Sequence, residues 1–384
     1  MLTNSLLSSL ALLVSISLLG MVLITLTNVL TFPRLNRYKD PKESGLVSIL
    51  IPARNEASRI RATLQSLLNQ EDVRFEILVL DDHSTDSTNR VALEIGEADP
   101  RLRILEGLDL PEGWGGKNWA CHQLSKEAAG DWLVFTDADV LWGVGSLKCL
   151  LAFVQSSRAD MATVWPTQKT VTWGERLIVP LMAMAIIAYL PVLAVHYIPW
   201  PVFSAANGQC LVFNRKTYDA IGGHEAVKNS VIEDIHLAWK VKADRFRLRM
   251  ADGAGLITCR MYQNWPEVRD GYAKNLLAGH GRNLFLLTLS GLFHWLVFIG
   301  PWIWLTTGFF ISTWMETWPA WPLLLIGLGI GVRALTAAFT RQRISDAFWM
   351  PVSVILMTRI ALLSGKWQIK YGGPVWKGRI LSKS

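Results

Sequence analysis

Cysteine is scarce in this sequence, and several motifs that would assign a chemistry at once are missing. The four cysteines, Cys121, Cys149, Cys210 and Cys259, lie far apart and form no C-x-x-C pair, which argues against a zinc ribbon or a dithiol redox centre. The seven histidines form no H-E-x-x-H motif, and the glycine-rich stretch 111–120 lacks the spacing of a P-loop. We therefore expect free, buried thiols in a reducing compartment and no Walker-type phosphate site.

Charged residues are absent from a long N-terminal stretch, and their absence predicts a membrane anchor. Residues 4–32 contain no Asp, Glu, Lys or Arg, and a helix needs about 20 apolar residues to cross the hydrocarbon core. A cleaved signal peptide would begin with basic residues, whereas MLTNSLL has none. Basic residues follow the stretch instead, at Arg34, Arg37, Lys39 and Lys42. By the positive-inside rule we expect an uncleaved anchor, with the next region in the cytoplasm.

Long apolar runs return towards the C-terminus, at 284–313, 318–339 and 348–364. The first two are long enough to cross a membrane, whereas the third is at the short limit and is expected to lie in the interface or to re-enter. Two crossings would keep Arg341, Arg343 and the basic tail 365–384 in the cytoplasm. The net charge of +7 then reflects residues beside anionic headgroups, so we expect no nucleic-acid binding. The predicted location is the bacterial inner (plasma) membrane.

Between the N-terminal anchor and the membrane or interfacial helices of 284–364 we predict one cytoplasmic domain, residues 45–283. The apolar stretch 177–200 interrupts it and contains Pro180, Pro191 and Pro199. A single crossing there would place residues before and after it on opposite sides of the bilayer. We therefore predict that 177–200 lies in the membrane interface, broken into pieces by its prolines.

The region 47–166 alternates short apolar strands with amphipathic helical stretches. The predicted strands are 47–52, 75–80, 102–105 and 132–135. Such alternation is typical of a parallel sheet covered on both faces, so the predicted class is α/β with a Rossmann-like, mostly parallel sheet. Ligands of these sheets bind at the carboxyl ends of the strands. The loops ARNE, DDHSTD and TDAD follow the first, second and fourth strand, and we expect them to meet at one edge.

Asp137 and Asp139 follow the fourth strand with one small residue between them. Alternation along an extended chain would point both side chains to one side. Two hard oxygen ligands suit Mg2+ or Mn2+, which complete their coordination with phosphate oxygens and water. The alternative is that the turn caps the next helix, and an isolated D-x-D does not decide between the two.

Other charged residues predict a donor site and a base. Asp81 and Asp82 end the second strand, where they would hold a base and ribose or form a solvated turn. Lys117 would pair with a diphosphate. Glu233 lies three residues after Ser230, so a capping box explains it.

Asp234 has no such structural role. A carboxylate near a helix N-terminus stays ionised and can accept a proton from a hydroxyl. Asp234 is therefore a candidate to accept that proton, with Glu233 in support.

The segments IPARNEA, VLDDHSTD, TDADV and IEDIHLAWK, in this order, resemble the family 2 glycosyltransferases of the GT-A fold. The resemblance covers roughly 47–242. GWGGKNWA, the GGH turn, RMYQNWPEVRDGYAKN and WKGR are similar to a membrane-bound branch that glycosylates isoprenoid lipids such as carotenoids or hopanoids.

This resemblance implies a role for each motif residue. It gives the nucleotide to five residues, Ala53, Arg54, Glu56, Asp81 and Asp82. It gives the metal and the diphosphate to Asp137 and Asp139, with Mn2+ or Mg2+ as cofactor, and the catalytic base to Asp234. The family inverts configuration, so no covalent sugar intermediate is needed.

The Q-x-x-R-W motif of processive polysaccharide synthases is missing. Only Arg282 in GHGRN and Trp376 with Arg379 in WKGR stand in that part of the chain. This absence favours single transfers and leaves the residue that stacks on the acceptor unidentified.

The predicted function is transfer of one sugar from a nucleotide-sugar donor, a UDP-sugar in the first instance, to a hydroxyl of a membrane lipid. The alternative within the same class is transfer to polyprenyl phosphate or to a polysaccharide. The alternative from another class is a membrane scaffold or transporter subunit whose sheet domain binds nucleotide without catalysis; few spans and no repeated halves argue against transport.

Overall fold

The computed structural model describes residues 2–42, 45–310, 318–376 and 379–380 and places them in two compact units. The helical unit contains the described residues of Met1–Thr31, Thr170–Pro191 and Tyr262–Ser384, and the sheet unit those of Phe32–Lys169 and Val192–Met261. The bounds differ from the predicted domain 45–283, because residues 170–191 and 262–283 group with the apolar helices.

Ten strands form two sheets within the described part of the sheet unit. They are β1 (Val47–Ala53), β2 (Phe75–Asp81), β3 (Leu102–Glu106), β4 (Trp132–Thr136), β5 (Val140–Trp142), β6 (Met161–Trp165), β7 (Thr167–Gln168), β8 (Cys210–Asn214), β9 (Leu248–Asp252) and β10 (Ile257–Cys259). The main sheet has the order β3-β2-β1-β4-β8-β6-β9, and the small sheet the order β5-β10-β7. In the main sheet β8 alone runs antiparallel to its neighbours, β4 and β6.

Helices cover this sheet as the apolar strands require. The helices of the sheet unit are α2 (Ile60–Leu68), α3 (Thr88–Gly96), α4 (Gly116–Glu127), α5 (Ser146–Ser156), α7 (Val192–Tyr197), α8 (Arg215–Ala220) and α9 (Glu233–Ala243), with short 3-10 turns at Leu35–Arg37, Pro201–Phe203 and Gly223–Val227. One buried core joins the strand side chains to α2, α3 and α5 through residues such as Ile49, Leu64, Ile77 and Phe153. The predicted α/β class with a mostly parallel sheet is confirmed.

The four predicted strands all form, and each extends one residue further than expected. The sequence did not reveal the other half of the main sheet, β6, β8 and β9. A short apolar run such as CLVF at β8 does not by itself distinguish a strand from a buried helical turn. Pairing with β4 decides the matter, because Thr136 lies opposite Cys210.

The strand order explains where the acidic loops meet. Since β1 lies between β2 and β4, the loops that follow these three parallel strands emerge side by side at one edge of the sheet. The antiparallel direction of β8 brings a fourth loop, residues 204–209, to the same edge.

Seven α-helices lie in the described part of the helical unit. They are α1 (Leu2–Thr31), α6 (Trp173–Tyr189), α10 (Trp265–Gly279), α11 (Leu284–Phe298), α12 (Gly300–Thr307), α13 (Ala320–Phe339) and α14 (Met350–Tyr371), with 3-10 turns at Gly308–Phe310 and Ile344–Trp349 and a hairpin of β11 (Val375–Trp376) and β12 (Arg379–Ile380). By length and composition, Ser8–Thr31, Ala320–Phe339 and Ile344–Tyr371 could each cross a membrane. Leu284–Phe298 with Gly300–Phe310 would add a fourth span if this pair, bent by 42°, counts as one.

The C-terminal predictions change in detail. The third apolar segment is longer than the predicted 348–364, since the helical stretch Ile344–Tyr371 has 28 residues. Residues 311–313 of the first predicted run, and Lys377, Gly378 and 381–384 of the tail, lie outside the described residues.

The strands on either side of the stretch 177–200 belong to the same sheet. The stretch runs through α6 and α7, between β6 and β8, and these two strands pair directly. Pro191 stands at the break between the two helices, as expected, but Pro180 lies inside α6 without ending it. The prediction that this proline breaks the segment is wrong.

Candidate active site

Backbone and side-chain hydrogen bonds join the loops after β1 and β2. The backbone N–H of Asp82 donates to the carbonyl of Ala53 at 2.8 Å. Arg54 Nη1 donates to the Asp82 carbonyl at 2.8 Å and lies 3.4 Å from Asp82 Oδ2. Asp81 Oδ1 accepts from the Ser84 N–H at 3.3 Å. Four of the five residues predicted for the nucleotide are thereby brought together.

The fifth, Glu56, faces the TDAD turn through an arginine that the motif analysis missed. Arg59 Nη1 lies 3.6 Å from Glu56 Oε2 and 3.8 Å from Asp139 Oδ2. Burial, together with Asp137 and Glu56, raises the pKa of Asp139 to about 7, although Arg59 opposes the shift. The only signal in the sequence was the position of Arg59, shortly after the ARNE loop and directly before α2.

One oxygen of the Asp139 carboxylate, Oδ1, is buried. Within the described residues no nitrogen or oxygen donor bonds to it, although the Cys259 thiol is a polar neighbour. A buried carboxylate oxygen without a donor is costly unless a cation or proton compensates it.

Lys117 forms ion pairs with carboxylates from two separate segments of the chain. Its Nζ lies 2.9 Å from Asp137 Oδ1 and 3.1 Å from Glu233 Oε1. Despite desolvation, these two carboxylates hold the pKa of Lys117 well above its ordinary value. Asp137, from the loop after β4, and Glu233, from the first turn of α9, therefore share one ammonium group.

Asp234 is held by backbone groups, and the capping prediction is wrong. Its Oδ2 accepts from the Gly208 N–H and its Oδ1 from the Ile235 N–H, both at 2.8 Å. Burial and Glu233 raise the pKa of Asp234 to about 7, while Lys117 and the two N–H donors lower it. Glu233 makes no capping box with Ser230, because α9 begins at Glu233 with Ile232 as its N-cap. The Glu233 carboxylate pairs with Lys117.

Gly208 is a second site residue that the sequence analysis missed. A Cβ at this position would lie 3.2 Å from Lys117 Nζ and 3.5 Å from both Asp234 Oδ2 and Glu233 Oε1. Its N–H also bonds Asp234. The N-G pair in AANGQC, just before β8, was the available signal, since such pairs mark turns.

The residues present fit a divalent ion only in part. Among the described residues, no group of three or more His, Cys, Asp or Glu side chains is arranged to hold a metal. Asp137 and Asp139 supply two carboxylates, and within the described residues no nitrogen or oxygen donor bonds to Asp139 Oδ1. Two carboxylates are enough for an ion that takes its remaining ligands from phosphates and water.

Comparison with known proteins relates this chain to glycosyltransferases. Residues 48–218 match the model of the glycosyl transferase family 2. The 4,4'-diaponeurosporenoate glycosyltransferase of Staphylococcus aureus (strain USA300) is 28% identical over 248 residues, 61% of this chain and 62% of that relative. The chain thus spans about 62% of the length of the curated relatives it matches.

A solved structure agrees with the fold. The mannosyltransferase PcManGT from Pyrobaculum calidifontis, in complex with GDP-Man and Mn2+, superposes with a TM-score of 0.57 at 18% identity, covering 94% of this chain and 99% of that one. At this identity the similarity establishes the fold alone. The domain of residues 48–218 thus matches the family 2 glycosyltransferases, as its motifs predicted. The chain is also similar to a carotenoid glycosyltransferase.

Proposed function

We propose that the protein is an inverting, metal-dependent glycosyltransferase that moves one sugar from a nucleotide-sugar donor, a UDP-sugar first, to an isoprenoid membrane lipid. The observation that carries this proposal is the shared ammonium of Lys117. It joins Asp137 of the TDAD turn to Glu233, next to Asp234, although these residues come from distant parts of the chain.

The donor would lie along the edge formed by the loops after β1, β2 and β4. Arg54, Asp81 and Asp82 supply a guanidinium and carboxylates at the ends of adjacent parallel strands, where nucleotides bind in sheets of this class. Lys117 would exchange part of its contact with Asp137 for the donor diphosphate. We expect Mn2+ or Mg2+ to be held by Asp137 and Asp139 and to neutralise charge on the departing diphosphate.

Asp234 would act as the base towards a hydroxyl acceptor. The acceptor oxygen forms a bond to the anomeric carbon while the bond from that carbon to the diphosphate oxygen breaks, and the acceptor proton passes to Asp234. A carboxyl whose pKa is near 7 is well matched to this proton transfer at neutral pH. The Gly208 N–H fixes the orientation of this carboxylate.

The name of the staphylococcal relative favours a second acceptor chemistry. Diaponeurosporenoate is a carboxylate, and a carboxylate is already ionised at neutral pH, so its glycosylation requires no base. A polyprenyl phosphate acceptor would share this property. The loss of activity on replacing Asp234 therefore distinguishes a hydroxyl acceptor from an ionised one.

A lipid acceptor is supported by the apolar helices. Three helices of the described chain are long and apolar enough to cross a membrane. We propose that they anchor the protein in the bacterial inner membrane with the sheet unit in the cytoplasm, where nucleotide sugars are made, and with the basic tail on the same side.

Transfer can be tested with the purified protein in detergent. UDP-glucose, UDP-galactose, UDP-N-acetylglucosamine and GDP-mannose would be offered with farnesol or farnesoic acid and Mn2+, and glycosylated products detected by mass. We expect Asp139→Asn and removal of Mn2+ by EDTA to abolish transfer. Asp234→Asn should lower kcat about 10²–10⁴-fold with farnesol and much less with farnesoic acid.

The control is Glu94→Gln, a half-exposed carboxylate on α3 that pairs with Arg61. It should retain wild-type activity, because exposed pairs contribute little. The absence of product with every donor and acceptor would contradict the proposed function. Undiminished transfer by Asp139→Asn in EDTA would show that the reaction needs no metal.

A further inference from the structure

An aromatic cluster of Trp114, Trp119 and His122 lies on the loop before α4 and on its first turns. The Trp114 and Trp119 rings meet edge to face at 4.9 Å between centroids. Trp119 stacks on His122 at 5.6 Å with an angle of 14° between the planes. All three rings are half-buried, so each keeps part of its surface open to solvent.

This cluster is fixed to the segment that leads into α9. The buried Asn118 amide donates to the carbonyls of Val227, Lys228 and Ser230 at 2.9, 3.1 and 2.9 Å. The Gly115 N–H donates to the Lys228 carbonyl at 2.7 Å. The start of α4 is therefore held beside the chain that carries the proposed base.

The start of α4 presents two different surfaces. Lys117 extends to Asp137 and Glu233 in the charged site. Trp119 and His122, one turn apart, carry the aromatic surface. Charged and aromatic surfaces thus begin within two residues of each other.

Exposed aliphatic side chains extend the aromatic surface. Leu108 is 65% exposed and Leu110 is 38% exposed, on the loop after β3. This loop is held in place, because Trp119 Nε1 donates to the Leu108 carbonyl at 3.2 Å and Gln123 Oε1 accepts from the Leu108 N–H at 2.9 Å. Exposed leucines on an anchored loop favour an apolar ligand over a polar one.

We propose that Leu108, Leu110, Trp114 and Trp119 bind the hydrocarbon chain of the acceptor next to its reactive end. The proposal rests on the proposed function and identifies the acceptor as one with an extended apolar chain. A sugar ring fits less well, because it needs polar partners and the indole N–H of Trp119 already bonds the Leu108 carbonyl. The cluster would then determine specificity without taking part in the chemistry.

Acceptors of increasing length test this assignment. Geraniol, farnesol and geranylgeraniol would be compared under a saturating donor, and kcat/KM followed as a function of chain length. In Leu108→Ser and Trp114→Ala we expect losses of about tenfold or more for geranylgeraniol and smaller losses for geraniol, with the donor KM unchanged. The control is Leu93→Ser, which removes a 47% exposed leucine from α3.

Equal losses for all three alcohols in Leu108→Ser would overturn the proposal. So would a raised donor KM with an unchanged acceptor KM, which would assign the cluster to the donor. Leu108→Ser changes an exposed side chain and should fold normally, so a misfolded Trp114→Ala does not affect the comparison.

Binding can be measured without turnover. A farnesol analogue carrying a diazirine would be photolysed with the wild-type protein in the absence of donor, and the labelled peptides mapped by mass. Labelling of residues 108–122, reduced in Leu108→Ser, supports the subsite even if no donor is turned over. Labelling elsewhere contradicts it, and this outcome is separate from a failure of transfer.

Discussion

At the scale of single residues, Lys117 determines how the charges of the site balance. Its ammonium pairs with Asp137 and Glu233 and offsets part of the repulsion between these two carboxylates. A donor diphosphate with its metal brings both a stronger cation and competing anions. We infer that Lys117 holds the site together before the donor arrives and then contacts the phosphates.

Gly208 supports a prediction at this scale. Gly208→Ala adds a Cβ 3.2 Å from Lys117 Nζ, which is closer than most real contacts, so the Lys117 ammonium must shift. We expect kcat to fall about tenfold or more, with a stability cost of about 1–3 kcal/mol. Steady-state kinetics and Tm in detergent measure the two effects. In Gly96→Ala, whose Cβ would make only ordinary contacts, both should be near wild type; unchanged kcat in Gly208→Ala would contradict the role of this glycine.

Sequence identified the acidic residues of the site but did not reveal the hydrogen-bond and ion-pair partners of two of them. Glu233 follows a serine at capping distance, yet an ion pair with Lys117 uses its carboxylate. Asp234 was expected to lack structural bonds, yet it accepts two backbone N–H groups. Local spacing does not contain the distant partner, so the competition between a cap and an ion pair is invisible in the chain.

At the scale of elements, α7 is pinned to α9 and β9 by polar groups at its C-terminal end. The buried Lys242 ammonium donates to the carbonyls of Ala194 and Ile198 at 3.2 and 2.7 Å. Arg249 donates to the His196 carbonyl. The Met250 N–H donates to His196 Nε2 at 2.9 Å, which requires that the ring nitrogen is unprotonated. Helix C-termini are favourable places for such cations.

His196 predicts acid sensitivity of this contact. Burial, with Arg249 and Lys242 nearby, lowers its pKa from 6.5 to about 4. Because the folded pKa is depressed, the stabilisation is complete above about pH 6.5 and is lost as the pH falls towards 4. We expect about 2 kcal/mol from this residue over that window, measured as Tm between pH 7.5 and 4.5.

The variant that isolates the effect is His196→Gln, whose amide oxygen can accept the same N–H without titrating. It should lose less stability on acidification than the wild type, whereas His83→Gln, at an exposed position, should behave like the wild type. Parallel pH curves for His196→Gln and wild type would rule the explanation out.

At the scale of the whole chain, the number of membrane crossings depends on how the apolar helices pack against charged ones. The C-terminal half of α14 packs on α10 in the helical unit, where Ser364 Oγ donates to the Ala273 carbonyl at 2.7 Å. Four charged side chains lie on α10, namely Glu267, Arg269, Asp270 and Lys274. Such a helix is costly inside hydrocarbon, so its partner α14 is better placed in the interface than across the bilayer.

This packing predicts the side on which α14 ends. In a Cys149→Ser background, where the other native cysteines are buried, cysteines replace Asp109 on the sheet unit, Ser345 before α14 and exposed Ile369 near its end. We expect an impermeant maleimide to label all three only in inverted vesicles. Labelling of the cysteine at 369 from the face opposite to that at 345 would mean that 344–371 crosses the membrane.

Sequence by itself determined the resemblance of residues 48–218 to a glycosyltransferase family, the four parallel strands and the acidic loops, because apolar periodicity and strand-end carboxylates are local properties of the chain. Only the tertiary structure decided which charges meet. The antiparallel return of β8 delivers Gly208 to the edge of the sheet, and the anchoring of α4 places Lys117 between Asp137 and Glu233. The contact of Lys117 with Glu233 joins residues more than a hundred positions apart. The energies of such contacts depend on burial and distance, which no local pattern encodes.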